Sequence, residues 1–167
     1  MAASFRRLPT LEERKQMSHA FHQLYYHFAW ATHSREPLID RVWQPQLLEI
    51  LNEEVKTRVG WPIRHNAMPD HVHLLSRLPP TVLVSDFIGQ VKGATSFRVN
   101  KEIHPKFKLR WPEGYGALTL RKDEVEKVSR YIDRQEQHHR RGTLSEYWKD
   151  SSLKKMIGLK ASGSKAS

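Results

Sequence analysis

Apolar and polar positions first fall into a strict two-residue period. Leu24, Tyr26, Phe28 and Trp30 interleave with Tyr25, His27, Ala29 and Ala31, as in a strand with one strongly apolar face. Beyond Arg35-Glu36-Pro37 the period lengthens. From about Asp40 to Val59, the residues Trp43, Leu47, Ile50, Leu51, Val55 and Val59 share one helical stripe, with Asp40 as its cap, Pro45 tolerated in the first turn and Gly60 as its stop. Residues 61–68 and 71–77 read as two strands joined by the turn Pro69-Asp70, and Pro79-Pro80 ends the pair. Ser85 is expected to cap a second helix that buries Phe87, Ile88, Val91, Ala94 and Phe97 and leaves Lys92, Arg98 and Lys101 for solvent or ligand. Residues 107–111 and 117–120 read as short strands. A last helix is expected over residues 123–141, with Val125, Val128 and Ile132 as its seam and Gly142 as its stop. This order predicts an α+β domain: an antiparallel sheet on the ferredoxin-like (split βαβ) plan, helices on one face, and a C-terminal helix carrying Tyr131.

Composition narrows the partners more than the fold. At 167 residues and 38% apolar content the chain suits one domain, divided as a polar N-terminal arm (1–19), a single domain (20–150) and a basic, disordered tail (151–167). The net charge of +10 favours a polyanionic partner. The absence of cysteine excludes disulfides, thiolate chemistry and Cys-based zinc sites, and agrees with a reducing compartment. No stretch approaches the roughly 18–20 apolar residues of a membrane span, and the first residues lack the apolar core of a secretory signal, so a cytoplasmic protein is expected.

The candidate chemistry lies in two places. In Asp70-His71-Val72-His73, strand alternation aims both imidazoles at one face, which is half of a metal site. About sixty residues later Tyr131 and Gln135 sit one helical turn apart, with His138 close enough on the same face to rival Gln135 as a third ligand. Imidazoles alone suit zinc or another late transition metal, whereas phosphate chemistry more often uses magnesium or manganese, so the residues leave the metal open. A tyrosine nucleophile needs assistance, because with a pKa near ~10 only about one phenol in a thousand is ionised at neutral pH. The competing reading is a structural histidine pair, a half-buried helix tyrosine and a surface amide. Lys92, Arg98, Lys101, Lys106, Lys108 and Arg110 cluster around the second helix and the loop after it as candidate DNA contacts, with Trp111 or Tyr115 as stacking surfaces. His65, His104 and His139 are expected to be structural or solvent-facing.

These blocks resemble those of a known family. The His71-Val72-His73 strand, the segment Val82–Ser96, the block Trp111–Ala117 and the block Tyr131–His139 are similar, in order and spacing, to the single-tyrosine HUH transposases of small insertion sequences and their repeat-palindrome-associated relatives. The likeness runs from about Leu24 to His139. It implies a DNA transposase that cleaves and rejoins single strands, with His71, His73 and Gln135 holding Mg²⁺ or Mn²⁺ and Tyr131 forming a 5′-phosphotyrosine intermediate as a 3′ hydroxyl departs. It further implies single-stranded DNA with hairpin ends as substrate, a nucleoid-associated location, and a homodimer in which the tyrosine helix of one subunit completes the histidine site of the other. Three alternatives stand beside it: a domesticated palindrome-processing nuclease of the same family, a phosphodiesterase that uses water, and a non-catalytic single-stranded nucleic-acid-binding module.

Overall fold

The alternation at the start of the domain becomes β1 (Tyr25–Ala31), followed by α1 (Gln44–Thr57), β2 (Trp61–Met68), β3 (His71–Arg77), α2 (Val84–Arg98), β4 (Gly116–Leu120) and α3 (Val125–Asp133). The computed structural model describes residues 21–103 and 108–135. The four strands lie in the order β2-β3-β1-β4, and every neighbouring pair is antiparallel. Each helical crossover, β1-α1-β2 and β3-α2-β4, therefore spans a strand belonging to the other unit. Two interleaved split βαβ units of this kind are the expected ferredoxin-like plan.

Period-two alternation sorts the sheet into two unlike faces. On one, Phe28, Trp30, Ala67, Val72 and Leu74 pack against Leu47, Leu51 and Val55 of α1 and Phe87, Ile88 and Val91 of α2. Full burial of side chains of this size contributes roughly 1.5–3 kcal/mol each, so this layer holds the domain together. On the other face Leu75 and Leu120 meet Val128 and Ile132 of α3, with Tyr25, Ile63, Val125 and Tyr131 at the margin. The third helix thus covers the face that carries His71 and His73.

Several local expectations change. Pro45 does lie in the first turn of α1. Asp40, however, caps the turn before that helix, its Oδ1 accepting the N–H groups of Val42 (2.8 Å) and Trp43 (3.2 Å). Val59 leaves the apolar stripe: it is exposed and takes a left-handed φ of 55°. A glycine commonly fills that position, but here Gly60 is needed one residue on, where a Cβ would lie 2.9 Å from the side chains of both Phe87 and Val55. Ser85 does not cap α2, which begins at Val84 after Leu83 without a side-chain cap. The buried stripe of α2 is Phe87, Ile88, Val91, Lys92 and Thr95, so Lys92 is inside and Phe97, 65% exposed, is outside. Residues 108–111 form no strand, and Phe107 falls outside the described residues. The last helix closes at Asp133, where Arg134 N–H is shared between the carbonyls of Arg130 and Tyr131 at 3.2 Å each. The expected arm, the tail and residues 136–142 lie outside the described residues. Among the described residues no helix is long and apolar enough to cross a membrane.

Candidate active site

Both histidines of β3 are almost fully buried on the α3 side of the sheet, their ring centroids 5.0 Å apart. Register makes the room for them. On β1, Ala31 is the partner of His71 and Ala29 the partner of His73, and Gly116 of β4 lies opposite Ala29. Small side chains at these positions leave space that larger ones would fill.

Each ring is held through its Nδ1. For His71 the partner is Asp70 Oδ1 at 2.6 Å, and since a carboxylate only accepts, His71 Nδ1 carries the proton. The other oxygen of Asp70 is bonded by Arg35 Nη2 at 2.7 Å. Ser34 and Arg35 reach this position through positive φ values of 53° and 57°, an uncommon backbone for such residues. For His73 the partner is His27 Nε2 on β1 at 2.9 Å. His27 is 1% exposed, and burial drives its pKa down to about 3, so this imidazole is neutral. Sequence reasoning passed over His27. The available signal was its parity with Ala29 and Ala31, away from the apolar positions of β1. What made it part of the site was the adjacency of β1 and β3.

Tyr131 is brought to this face by α3. Asn66 of β2 donates its amide to the carbonyl of Ile132 at 2.9 Å, Arg64 pairs with Asp133 at 3.4 Å, and Ile132 is fully buried against the sheet. These contacts fix α3 across β2 and β3. As a result the Tyr131 ring stands edge-on to His73, with centroids 6.0 Å apart, and to His27 at 6.4 Å. Gln135 follows one turn later. It is 1% exposed, and neither its amide oxygen nor its amide nitrogen has a hydrogen-bond partner among the described residues. Burial of an unsatisfied amide costs about 1–3 kcal/mol, so this is an expensive position for glutamine unless something is meant to meet it. Among the described residues no three His, Cys, Asp or Glu side chains converge on one point. His138 and His139 lie outside the described residues.

The proposed basic cluster separates on inspection. Lys92 is not on the surface: its ammonium donates to the carbonyls of Pro112 (2.7 Å), Glu113 (3.0 Å) and Gly114 (3.0 Å). Burial lowers its pKa to about 8, partly offset by the charge of Glu113. The Arg98 guanidinium is engaged by Glu53, Glu54 and Glu102, whose carboxylates hold its pKa above the usual range. Lys101, Lys108 and Arg110 remain exposed, and Lys106 falls outside the described residues. Of the two stacking candidates, Trp111 packs edge-on against Trp30 at 6.0 Å, and Tyr115 lies 5.7 Å from the Lys92 ammonium.

The chain has relatives among known proteins. The family described as "Transposase IS200 like" matches residues 20–135, which takes in both histidines, Tyr131 and Gln135. The chain belongs to the IS200-like transposase family. Within it, the ISDra2 transposase TnpA of Deinococcus radiodurans is 28% identical over 131 residues, covering 75% of this chain and 92% of that protein. The transposase for insertion sequence element IS200 of Salmonella typhimurium is 26% identical over 135 residues, covering 78% and 88%. A crystal structure assigned as a transposase of D. radiodurans R1 superposes with a TM-score of 0.58 at 27% identity, covering 70% of this chain and 94% of that one. The REP-associated tyrosine transposase bound to a REP hairpin has a TM-score of 0.54 at 14% identity, covering 83% and 74%, a likeness of fold alone.

Proposed function

We propose that this IS200-like transposase cleaves and rejoins single-stranded DNA by transesterification, with Tyr131 as nucleophile and a divalent cation held by His71, His73 and Gln135. The observation that carries the reading is the Tyr131 ring standing 6.0 Å from His73 inside one chain. The residues fit the cation. Asp70 and His27 occupy both Nδ1 atoms, so Nε2 is the ligating atom on each ring, and the buried Gln135 amide has an oxygen to give. With two imidazoles and one amide offered by the described residues, the remaining positions would go to water or phosphate oxygens, which suits Mg²⁺ or Mn²⁺. When bound, such an ion withdraws charge from the non-bridging phosphate oxygens and makes phosphorus easier to attack.

In the step itself, Tyr131 Oη bonds to phosphorus while the bond from phosphorus to the 3′ oxygen breaks. The phenol loses its proton to solvent, and the departing 3′ oxygen takes one up. One phosphodiester has then replaced another, so a second strand's 3′ hydroxyl can reverse the exchange and complete strand transfer without ATP. Hairpin DNA is proposed as the substrate form, supported by the hairpin-bound structural relative and by the net charge of +10. A homodimer with shared active sites is proposed as the working assembly, on the resemblance alone.

The test is denaturing electrophoresis of the protein with labelled single-stranded hairpin DNA and Mn²⁺. Wild type should give a covalent adduct, and Tyr131→Phe should reduce it to background while hairpin binding persists. Cleavage without an adduct would point instead to a phosphodiesterase that uses water. Binding without cleavage would leave a non-catalytic module.

A further inference from the structure

We infer that His27 is a positioning residue for His73: it accepts the Nδ1 proton of His73 through its own Nε2 and so holds His73 in the tautomer that presents Nε2 as a ligand. This inference rests on the cation site proposed above. It begins with the two nitrogens, 2.9 Å apart, on two imidazoles that are 1% and 2% exposed. A neutral imidazole pair shares one proton between facing nitrogens. If His27 donated it, the one N–H proton of His73 would sit on Nε2, where a cation must bind. If His27 accepts it, that nitrogen keeps its lone pair.

The neighbouring histidine shows which arrangement the site is built for. His71 has its Nδ1 proton fixed by Asp70, an acceptor that permits no alternative. His73 is held at the same ring atom, from the next strand, by a group of similar reach and no charge. The difference in charge has a use. A second carboxylate would add negative charge beside a pocket that must admit a phosphodiester, whereas an imidazole orients its partner without doing so. Register supports the role, because the residue of β1 directly opposite His73 is Ala29, whose small side chain leaves the diagonal from His27 to His73 open.

The test uses the full-length protein labelled with ¹⁵N-histidine. Long-range ¹H–¹⁵N spectra of the metal-free wild type should show His73 protonated at Nδ1, and protonation at Nε2 would overturn the proposal. In His27→Leu, which cannot accept a hydrogen bond, that tautomer should be lost and Mn²⁺ affinity measured by electron paramagnetic resonance should fall about 10–100-fold. In His27→Gln, whose amide oxygen can accept, the tautomer should survive and the affinity should stay within a few fold of wild type. Wild-type Mn²⁺ affinity in His27→Leu would also overturn it. Should His27→Leu fail to fold, the wild-type and His27→Gln spectra still decide. His73→Ala is the separate control: undiminished Mn²⁺ binding in that variant would sink the cation site, while the tautomer spectra would still judge the hold of His27 on His73.

Discussion

Lys92 and Gln135 are both polar side chains buried in the protein, on opposite sides of the sheet, and they are buried on opposite terms. The Lys92 ammonium has three N–H bonds and meets three carbonyl oxygens of the 112–114 loop. Nothing is left for a ligand, and its role is to pin that loop to α2. Gln135 has a donor pair and an acceptor, and none of them is matched among the described residues. Satisfied polar burial marks architecture, while unsatisfied burial one helical turn from Tyr131 marks a place prepared for something else. The sequence suggested Lys92 as a DNA contact, because a lysine among basic neighbours looks like surface. The structure takes it out of that patch.

Substituting each residue with an apolar one of similar length separates the two kinds of burial. Lys92→Met should lower the unfolding free energy by about 1–3 kcal/mol, since it strands three carbonyls, while leaving Mn²⁺ affinity unchanged. Denaturant unfolding and a manganese titration check both halves, and a loss of Mn²⁺ binding would mean that the loop latch and the site are not separate. Gln135→Met should act in the opposite sense. Removal of an unmatched amide should leave stability unchanged or raise it by up to about 1 kcal/mol, yet Mn²⁺ affinity should fall at least about tenfold, because a thioether is a poor ligand for a hard cation. Clear destabilisation would show that Gln135 is a packing residue.

A smaller effect tests what holds the Lys92 proton. Its folded pKa, lowered to about 8, lies below the ordinary 10.5. Between these values the unfolded chain keeps a proton that the folded protein has released, so this group makes stability rise with pH across that window. The stability gap between wild type and Lys92→Met should therefore widen from pH 8 to pH 10.5. A narrowing gap would mean that the three carbonyls favour the ammonium more than burial opposes it.

Periodicity alone predicted the strand at 25–31, the hairpin of residues 61–77 and the helix around residues 44–57, because each has its own apolar face and its own turn residues. The failures come where one residue has two duties. Val59 was assigned to the stripe, but the chain needed a left-handed residue there and spent its glycine on the contact with Phe87. In α2, hydropathy favoured Phe97 over Lys92, although helical spacing from Ile88 through Val91 to Thr95 puts Lys92 on the buried side. The histidine pair was legible because its two members lie two residues apart on one strand.

The sequence by itself therefore determined four strands and the first two helices, the shared face of His71 and His73 and the one-turn spacing of Tyr131 and Gln135, since these depend only on the local repeat of a strand or a helix. Tertiary structure decided which strand lies beside β3, which helix covers the histidine face, and which cations stay exposed. Those outcomes follow from strand order and packing between residues far apart in the chain. His27 shows the division most plainly: it lies 46 residues from His73, and only the pairing of β1 with β3 makes the two imidazoles neighbours.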